Sequence, residues 1–242
     1  MKEGNIIEQD QFGEQVFAYL DAIRLPERTN WDYIDIGAKS NYIHPTAIVG
    51  SGVKMGKNNY IGANCYIVGN TVIGDNNHFE AFVSIGTFPE HREYFNKKEM
   101  GGVTICNNNV FREFVTVNSG CTSNTVIGSN CWLLRGSHVG HDSIISDDVT
   151  LSCNVLIGGH SYLMVGANMG LGSVCHQRSL IGAYAMVGMN STVTKTTEVE
   201  PYCTYVGSPI KKLGLNKIKV SASNDLYMET LRAAYQKLKQ LR

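Results

Sequence analysis

Four of the seven histidines lie in the second half of the chain, inside three short polar motifs. The motifs are SHVGHD (137–142), IGGH (157–160) and CHQ (175–177). Neutral histidine suits general-base catalysis because its ordinary pKa lies near neutral pH. Glycine leaves its backbone N–H uncovered by a side chain, which suits hydrogen bonding to a developing oxyanion. The motifs therefore contain a candidate base and a candidate oxyanion donor.

Two sets of these residues are separated by 18 positions. His141, Gly159 and Gln177 form one set, and Asp142 and His160 form the other. If the chain makes one turn every 18 residues, each set becomes a column whose members lie about 4.8 Å apart, as neighbouring strands do. Such a column would bring polar groups from distant parts of the sequence to one wall of the fold. Convergent polar groups indicate a functional site and not unrelated surface residues.

A six-residue repeat supplies the required turn. From Ile127 to Val199 every sixth residue is apolar, and a mostly small residue follows four positions later. A period of six fits neither an amphipathic helix nor an alternating strand. It is typical of a β-helix, in which each hexad is a short strand and a turn, and stacked coils bury the apolar residues. An earlier block in the same pattern begins at Ile43.

The repeat divides the chain into segments and leaves two interruptions. A polar stretch at 87–102, the ejected loop, follows the first block, and the NSGCTSN run at 118–124, the slip segment, shifts the phase again. Long loops on rigid scaffolds are often where binding takes place, so the ejected loop is expected to be functional. The predicted units are an N-terminal helical cap (1–40), a β-helix catalytic domain (41–206) and a C-terminal helical tail (207–242).

Helices are predicted only outside the repeat. Apolar spacing between Asp10 and Leu25 predicts a short helix, which we expect to cover the open first coil. Ser223 or Asn224 can cap a terminal helix that carries apolar residues along one face. The expected apolar residues of this helix are Leu226, Leu231, Tyr235, Leu238 and Leu241.

Composition limits the possible partners and compartment. The chain has 242 residues and 43% apolar content, enough for one substantial core. Its formal net charge of zero argues against general binding to nucleic acid or to a membrane surface. Seven cysteines in no disulfide framework suggest buried thiols in a reducing compartment. With neither a signal peptide nor a membrane-spanning run evident, we predict a cytoplasmic protein.

The motifs together resemble those of the left-handed β-helix acyltransferases, including the enzymes that acylate UDP-N-acetylglucosamine at the start of lipid A synthesis. The resemblance covers residues 41–206 and rests on NYIHPTAIV (41–49), SIG (84–86) and the three histidine motifs. It implies an all-β fold, a left-handed parallel β-helix, assembled as a homotrimer with sites between neighbouring prisms. It also implies no permanently bound cofactor or metal, with acyl-CoA or an acyl carrier protein as the thioester co-substrate and a nucleotide sugar as acceptor.

The resemblance also implies a role for individual residues. His141 would be the general base and the Gly159 N–H the oxyanion donor, and Asp142, also a catalytic residue, would lie beside the sugar and the acyl chain. His160 would lie near the sugar and the acyl chain, and other polar residues would contact donor or acceptor. These further substrate-binding candidates are His138, His176, Gln177, His91 and Asn118.

Departures from the family bear on the substrate. The family has an Asp and a Lys in the ejected loop where this chain has His91 and Glu93, and a family histidine is replaced by Asn118. The C-terminal domain is also reduced to a short basic tail. These differences favour N-acylation of a nucleotide-linked amino sugar, such as a dTDP-amino-dideoxyhexose, for O-antigen or capsule. A 3-hydroxyacyl-CoA donor would then place its phosphates near Lys211 and Lys212, and O-acylation of UDP-N-acetylglucosamine is the alternative.

Two other activities of the same fold can be compared with the motifs. A γ-type carbonic anhydrase needs a His-x₄-His pair and an earlier histidine as zinc ligands. The histidines of HVGHD are only three positions apart, so a zinc site is not predicted. A non-catalytic structural prism would not need His, Asp and Gln stacked on one wall. The lone G-x-G within 166–172 fits the turns of the repeat and is not interpreted as a nucleotide fingerprint.

Overall fold

The computed structural model describes residues 41–241, apart from Asn96 and Lys98. This part of the chain forms a three-sided prism of short strands, followed by two helices. The helix expected between Asp10 and Leu25, and with it the predicted cap, lies outside the described residues. The prism confirms the predicted β-helix.

Three sheets form the sides of the prism, and successive strands join them in rotation. Sheet A contains β1 (Tyr42–Ile43), β4 (Tyr60–Ile61), β7 (His78–Phe79), β10 (Val110–Phe111), β13 (Trp132–Leu133), β16 (Thr150–Leu151), β19 (Asn168–Met169), β22 (Met186–Val187), β24 (Cys203–Val206) and β25 (Lys211–Leu215). Sheet B contains β2 (Ile48–Val49), β5 (Tyr66–Ile67), β8 (Ser84–Thr87), β11 (Thr116–Asn118), β14 (His138–Val139), β17 (Leu156–Ile157), β20 (Val174–Cys175) and β23 (Thr192–Val193). Sheet C contains β3 (Lys54–Met55), β6 (Thr71–Ile73), β9 (Val103–Ile105), β12 (Thr125–Ile127), β15 (Ile144–Ile145), β18 (Tyr162–Leu163) and β21 (Leu180–Ile181).

The strand register confirms the 18-residue coil. Leu133 pairs with Leu151, and Leu151 pairs with Met169, all in parallel orientation. In the long repeat block, every sixth residue from Ile127 to Val199 is buried inside the prism. Burying a side chain of this size contributes roughly 1.5–3 kcal/mol, so the hexad pattern supplies the main stabilising term.

The corner between sheets C and A, the C–A corner, contains a ladder of asparagines that the sequence analysis missed. Asn59, Asn77 and Asn109 are fully buried, each one coil above the last. The backbone N–H of Asn77 donates to Asn59 Oδ1 (2.8 Å), and the backbone N–H of Asn109 donates to Asn77 Oδ1 (3.0 Å). The ladder ends at Cys131, whose amide donates to Asn109 Oδ1 (2.7 Å). Buried amides are tolerated here because they satisfy one another and nearby carbonyls.

Both predicted interruptions of the repeat are present. Strands paired across the ejected loop are 32 residues apart and those paired across the slip segment are 22 apart, instead of 18. The slip segment supports both ends of the ejected loop. The amide of Ser119 donates to the Thr87 carbonyl (2.9 Å), and the amide of Gly120 donates to the Gly102 carbonyl (3.1 Å). The two interruptions therefore form one structural unit.

The C-terminal tail contains more than the predicted helix. Strand β25 runs antiparallel to β24 and extends sheet A, and helices α1 (Lys217–Ser221) and α2 (Asp225–Gln240) follow it. The Asn224 side chain accepts a hydrogen bond from the Tyr227 amide (2.8 Å), which identifies Asn224 as the cap. Strand β25 was not predicted, because it forms by pairing with β24 and its own sequence carries no strand pattern.

Helix α2 packs on the outer face of sheet C. Leu231, Tyr235 and Leu238 are buried there, as predicted, but Leu226 and Leu241 are exposed and the prediction was wrong for them. The sheet residues in this contact are Val126, Ile144, Tyr162 and Leu180. Neither helix in the described part of the chain has the length and apolar character that crossing a bilayer requires. All seven cysteines are free, and most are buried.

Candidate active site

His141 and Asp142 form a hydrogen-bonded pair at the corner between sheets B and C, the B–C corner. His141 Nδ1 lies 2.7 Å from Asp142 Oδ2, and the two side chains are 8% and 1% exposed. An ionised carboxylate only accepts hydrogen bonds, so the imidazole proton lies on Nδ1. The other ring nitrogen, Nε2, then carries a lone pair and can act as a base.

Gly159 lies one coil above His141, as the 18-residue spacing predicted. A Cβ built on Gly159 would lie 2.8 Å from both Nε2 and Cε1 of the imidazole, so only glycine lets the ring edge approach the backbone. Gly159 is buried, and its N–H donates no hydrogen bond within the part of the chain that the structure describes. The base and an open amide therefore meet at one place.

Serines on the inner side of the B–C corner hold its backbone. Ser161 Oγ donates to the Gly158 carbonyl (2.7 Å), and Ser179 Oγ donates to the His176 carbonyl (2.6 Å). Ser143 Oγ donates to the same Gly158 carbonyl (3.2 Å). The two bonds to the Gly158 carbonyl fix the peptide unit that carries the Gly159 N–H, so its amide direction is set by the prism.

Two further histidine rings contact the His141 imidazole edge to face. His160 is 5.0 Å away and His91, from the ejected loop, is 5.7 Å away, measured between ring centroids. His160 Nε2 lies 3.9 Å from Asp142 Oδ2. Burial lowers the pKa of His160, and this effect outweighs the opposing attraction of Asp142. His160 is therefore neutral at pH 7, which keeps a second positive charge away from the base.

His138 lies on the outer face of sheet B, close to the base of the ejected loop. Its Nδ1 is 2.8 Å from Thr116 Oγ1, and its Nε2 is 3.7 Å from Glu90 Oε2. Burial lowers the pKa of His138, while Glu90 acts in the opposite direction. The structure thus places His138 at the edge of the cluster, between the prism and the loop.

Two buried polar atoms near the loop have no partner in the described part of the chain. They are His91 Nδ1 and Asn118 Oδ1. The Asn118 amide nitrogen donates to the Phe88 carbonyl at the start of the ejected loop (2.6 Å), which holds the side chain in place. Buried polar groups are normally hydrogen-bonded, so two open ones on and beneath the loop that brings His91 to His141 are consistent with a ligand site.

The slip segment contributes groups that the sequence analysis did not assign. Cys121, Thr122 and Ser123 hydrogen-bond the Asp142 carboxylate. Cys121 Sγ also lies 3.4 Å from His141 Nδ1. The only sequence signal for this contact was the loss of repeat phase at 118–124, which shows that residues are inserted but not what they touch.

A metal ion is a poor fit for this cluster. Cys121, His141 and Asp142 offer ligand atoms within 4.8 Å of one another. Two ligands of a tetrahedral zinc ion, each about 2.0–2.1 Å from the metal, lie roughly 3.3 Å apart. The 2.7 Å between Nδ1 and Oδ2 is instead a hydrogen-bond distance. The geometry favours a hydrogen-bonded His–Asp pair, and the absence of a metal site stays a prediction.

Four of the predicted residues are not brought to His141 within the chain. His176 and Gln177 are exposed two coils from His141, and His176 Nδ1 bonds the Gln177 carbonyl (2.8 Å). Lys211 and Lys212 lie on β25 in sheet A, and Lys212 pairs with Glu200 (2.8 Å). Their predicted contacts with substrate therefore stay predictions.

Comparison with known proteins places this geometry in a family. The family model described as "Bacterial transferase hexapeptide (six repeats)" matches residues 52–87 and 124–159. The acyl-[acyl-carrier-protein]–UDP-N-acetylglucosamine O-acyltransferase of Bartonella henselae is 37% identical over 195 residues, which cover 73% of this chain and 70% of the relative. The same-named protein of Campylobacter concisus is 31% identical, covering 82% and 76%.

Solved structures agree with the sequence relatives. The LpxA structure from Acinetobacter baumannii superposes with a TM-score of 0.62 at 28% identity, over 82% of each chain. The UDP-N-acetylglucosamine acyltransferase from Bacteroides fragilis has a TM-score of 0.64 at 26% identity, over 82% and 83%. With this fold, this level of identity and the histidine cluster together, the chain belongs to the left-handed β-helix acyltransferases and is a homologue of the UDP-N-acetylglucosamine O-acyltransferases.

Proposed function

We propose that this acyltransferase moves an acyl group from the thioester of an acyl carrier protein to a sugar hydroxyl of UDP-N-acetylglucosamine. The observation that carries the proposal is the meeting of the His141–Asp142 pair with the open N–H of Gly159. The donor and acceptor are supported by the names of the Bartonella henselae and Campylobacter concisus relatives, which specify this pair of substrates. This is the alternative considered in the sequence analysis, and it now replaces N-acylation as the main proposal.

The proposed reaction is a direct transfer. Nε2 of His141 takes the proton of the acceptor hydroxyl while the oxygen attacks the thioester carbonyl carbon. The resulting oxyanion accepts a hydrogen bond from the Gly159 N–H. When the intermediate collapses, the carbon–sulfur bond breaks and the leaving thiolate takes the proton from His141. The products are a sugar ester and a free thiol, and the enzyme returns to its starting state.

Each part of this site has an expected share in the rate. A positioned general base contributes about 10²–10⁴-fold, and one oxyanion donor contributes about 10²–10³-fold. Asp142 stabilises the imidazolium that forms when His141 holds the proton, and it keeps the base in one tautomer. Neutral His160 adds no charge that would oppose protonation of His141 by the acceptor.

The ejected loop supplies the proposed acceptor contacts. The open Asn118 Oδ1 can accept a hydrogen bond from the sugar, and the open His91 Nδ1 can bond to the sugar or to the incoming hydroxyl. The Asn118 side-chain amide is uncharged. The proposed pocket therefore recognises a neutral sugar through hydrogen bonds, and the nucleotide phosphates would be bound elsewhere. A homotrimer with the site between neighbouring prisms is part of this proposal.

N-acylation of a nucleotide-linked amino sugar is a second candidate. The observation that favours it is the pair His91 and Asn118, which stand where the resemblance leads one to expect an aspartate and a histidine. A pocket without that aspartate attracts an acceptor ammonium less strongly, so the neutral amine needed for attack forms more easily. In this candidate the donor is acyl-CoA, and Lys211 and Lys212 contact its phosphates.

A matrix of substrates separates the two candidates. Purified protein is incubated with UDP-N-acetylglucosamine or with UDP- and dTDP-linked amino sugars, each with acyl carrier protein and CoA thioesters of several lengths. The His141→Ala variant provides the background. Acylation of UDP-N-acetylglucosamine by the carrier-protein donor is the expected result. Acylation of amino sugars alone would reject it in favour of N-acylation, and no transfer above background in any combination would reject both.

A further inference from the structure

The slip segment surrounds the carboxylate of Asp142. The amides of Thr122 and Ser123 donate to Oδ1 at 2.9 and 2.8 Å, and the amide of Cys121 donates to Oδ2 at 2.8 Å. Two hydroxyls add to these bonds, Thr122 Oγ1 at 3.2 Å and Ser123 Oγ at 3.1 Å from Oδ1. Five donors from three consecutive residues thus converge on one side chain.

These bonds hold the Asp142 carboxylate in one orientation. Oδ1 receives four of them, so Oδ2 is the oxygen that faces His141 Nδ1. Although burial raises the pKa of Asp142, the hydrogen bonds from His141 and from the slip-segment amides lower it far below its usual value. Bonds between charged and neutral groups are shorter and stronger than neutral ones, which makes this arrangement resistant to rotation.

The slip segment is itself held by the prism and the ejected loop. Asn124 Oδ1 accepts from the Gly102 amide (2.7 Å), and Thr125 Oγ1, directly after the slip segment, accepts from the Asp142 amide (2.9 Å). A Cβ on Gly120 would overlap the Ser123 carbonyl oxygen, so the tight turn that aims the three amides requires glycine. The four residues that this coil has beyond the usual 18 therefore build a defined cradle and not a loose loop.

We propose that the slip segment is the device that positions the catalytic base. By fixing the Asp142 carboxylate with Oδ2 towards His141, it keeps the imidazole proton on Nδ1 and leaves Nε2 free to accept the proton of the acceptor. Thr122 and Ser123 are positioning residues, since they act through Asp142 and do not contact the reacting atoms. The inference rests on the proposed function of His141, and it explains why the hexad repeat is broken at this point.

The test removes the two hydroxyls and leaves the backbone in place. The double variant Thr122→Val with Ser123→Ala is compared with the conservative double variant Thr122→Ser with Ser123→Thr, which keeps both hydroxyls. Nitrogen NMR shifts of His141, recorded at neutral pH on isotope-labelled protein without substrate, report which ring nitrogen carries the proton. Circular dichroism confirms that each protein is folded.

Wild type and the conservative variant are expected to show a single form with the proton on Nδ1. The hydroxyl-free variant should show a mixture of tautomers, with kcat lowered about tenfold or more because two hydrogen bonds to a charged group are lost, and KM changed less than twofold. A wild-type proton on Nε2, or a hydroxyl-free variant with the wild-type tautomer and kcat, would overturn the inference. The NMR result needs no substrate, so it decides this point even if the substrate matrix rejects the proposed function.

Discussion

At the C–A corner, the backbone amide two residues after the inward apolar position is paired, in several coils, with a side chain of the next coil. The Lys57 amide donates to Asp75 Oδ1 (2.6 Å), and the Asp75 amide donates to Asn107 Oδ1 (2.7 Å). Higher up, the Ser129 amide donates to Asp147 Oδ1 (2.6 Å). The buried asparagine ladder lies just inside this corner. The polar groups of the C–A corner are therefore hydrogen-bonded within the protein and not available to a ligand.

At the B–C corner the same repeat position holds His141, Gly159 and Gln177. Gly159 has no side chain that could accept a hydrogen bond from the backbone amide of the coil below, as the C–A corner side chains do. Its own backbone N–H also donates no hydrogen bond within the described chain. The imidazole occupies the space that a side chain at Gly159 would have taken. Identical backbone geometry therefore produces a stabilising corner or a reactive one, depending on whether side chains satisfy the backbone or leave it exposed to a ligand.

Removing the base should give the largest effect at the B–C corner. His141→Ala is expected to lower turnover by several hundred-fold or more, because a general base contributes about 10²–10⁴-fold. The matched control is His78→Ala, a histidine on sheet A that stacks on Tyr60 and should leave the rate unchanged. Initial rates with the assembly state checked by gel filtration measure this. A His141→Ala protein that keeps a tenth of wild-type activity would reject the base assignment.

Blocking the open amide should come next. Gly159→Ala places a methyl group 2.8 Å from the His141 ring, which displaces the imidazole and crowds the oxyanion position, so kcat should fall about 100-fold. Gly50→Ala is the control, because a Cβ there has ordinary contacts of 3.4 Å or more. Rates and thermal unfolding of both variants distinguish a chemical effect from a folding defect. Near-normal turnover by Gly159→Ala would show that the open Gly159 amide is not needed for catalysis. The B–C corner would then not differ in this respect from the C–A corner.

The ladder at the C–A corner should affect stability and not chemistry. Asn77→Ala removes the partner of the Asn109 amide and should lower the free energy of unfolding by about 1–3 kcal/mol. Activity per folded molecule should stay at the wild-type level. Asn58→Gly, which removes only an exposed hydrogen bond, should cost much less. Urea unfolding measures the free energies, and a selective loss of turnover in Asn77→Ala would remove the distinction between the corners.

Acid should weaken the fold through Asp142. Its pKa is lowered in the folded state, so its contribution to stability is complete above the ordinary aspartate pKa of about 3.9 and is lost as the pH falls below that value. Asp142→Asn should flatten this part of the stability profile. Urea unfolding from pH 7 down to pH 3 measures the slope. Parallel profiles for wild type and Asp142→Asn would mean that the slip segment does not stabilise the charged carboxylate.

The repeat made the prism and much of the site predictable. Hexad spacing predicted the inward residues, and the 18-residue period predicted that Gly159 lies above His141 and His160 above Asp142. The tail was less predictable, because β25 exists through pairing with β24 and Leu226 proved exposed. The asparagine ladder was missed because asparagine at an inward corner contradicts the usual preference for exposure and is tolerated only when the coils stack.

By itself, the sequence determined the winding of the chain, the faces that are buried and the column that carries the histidines, because a strict period translates directly into position along a regular prism. Only the tertiary structure decided what the two insertions do. The slip segment reaches Asp142 through contacts between residues 19 to 21 positions apart. The ejected loop brings His91 to His141 across a still longer stretch of sequence. The repeat period applies to neither contact. Such contacts depend on the shape of the folded neighbours, which local spacing does not record.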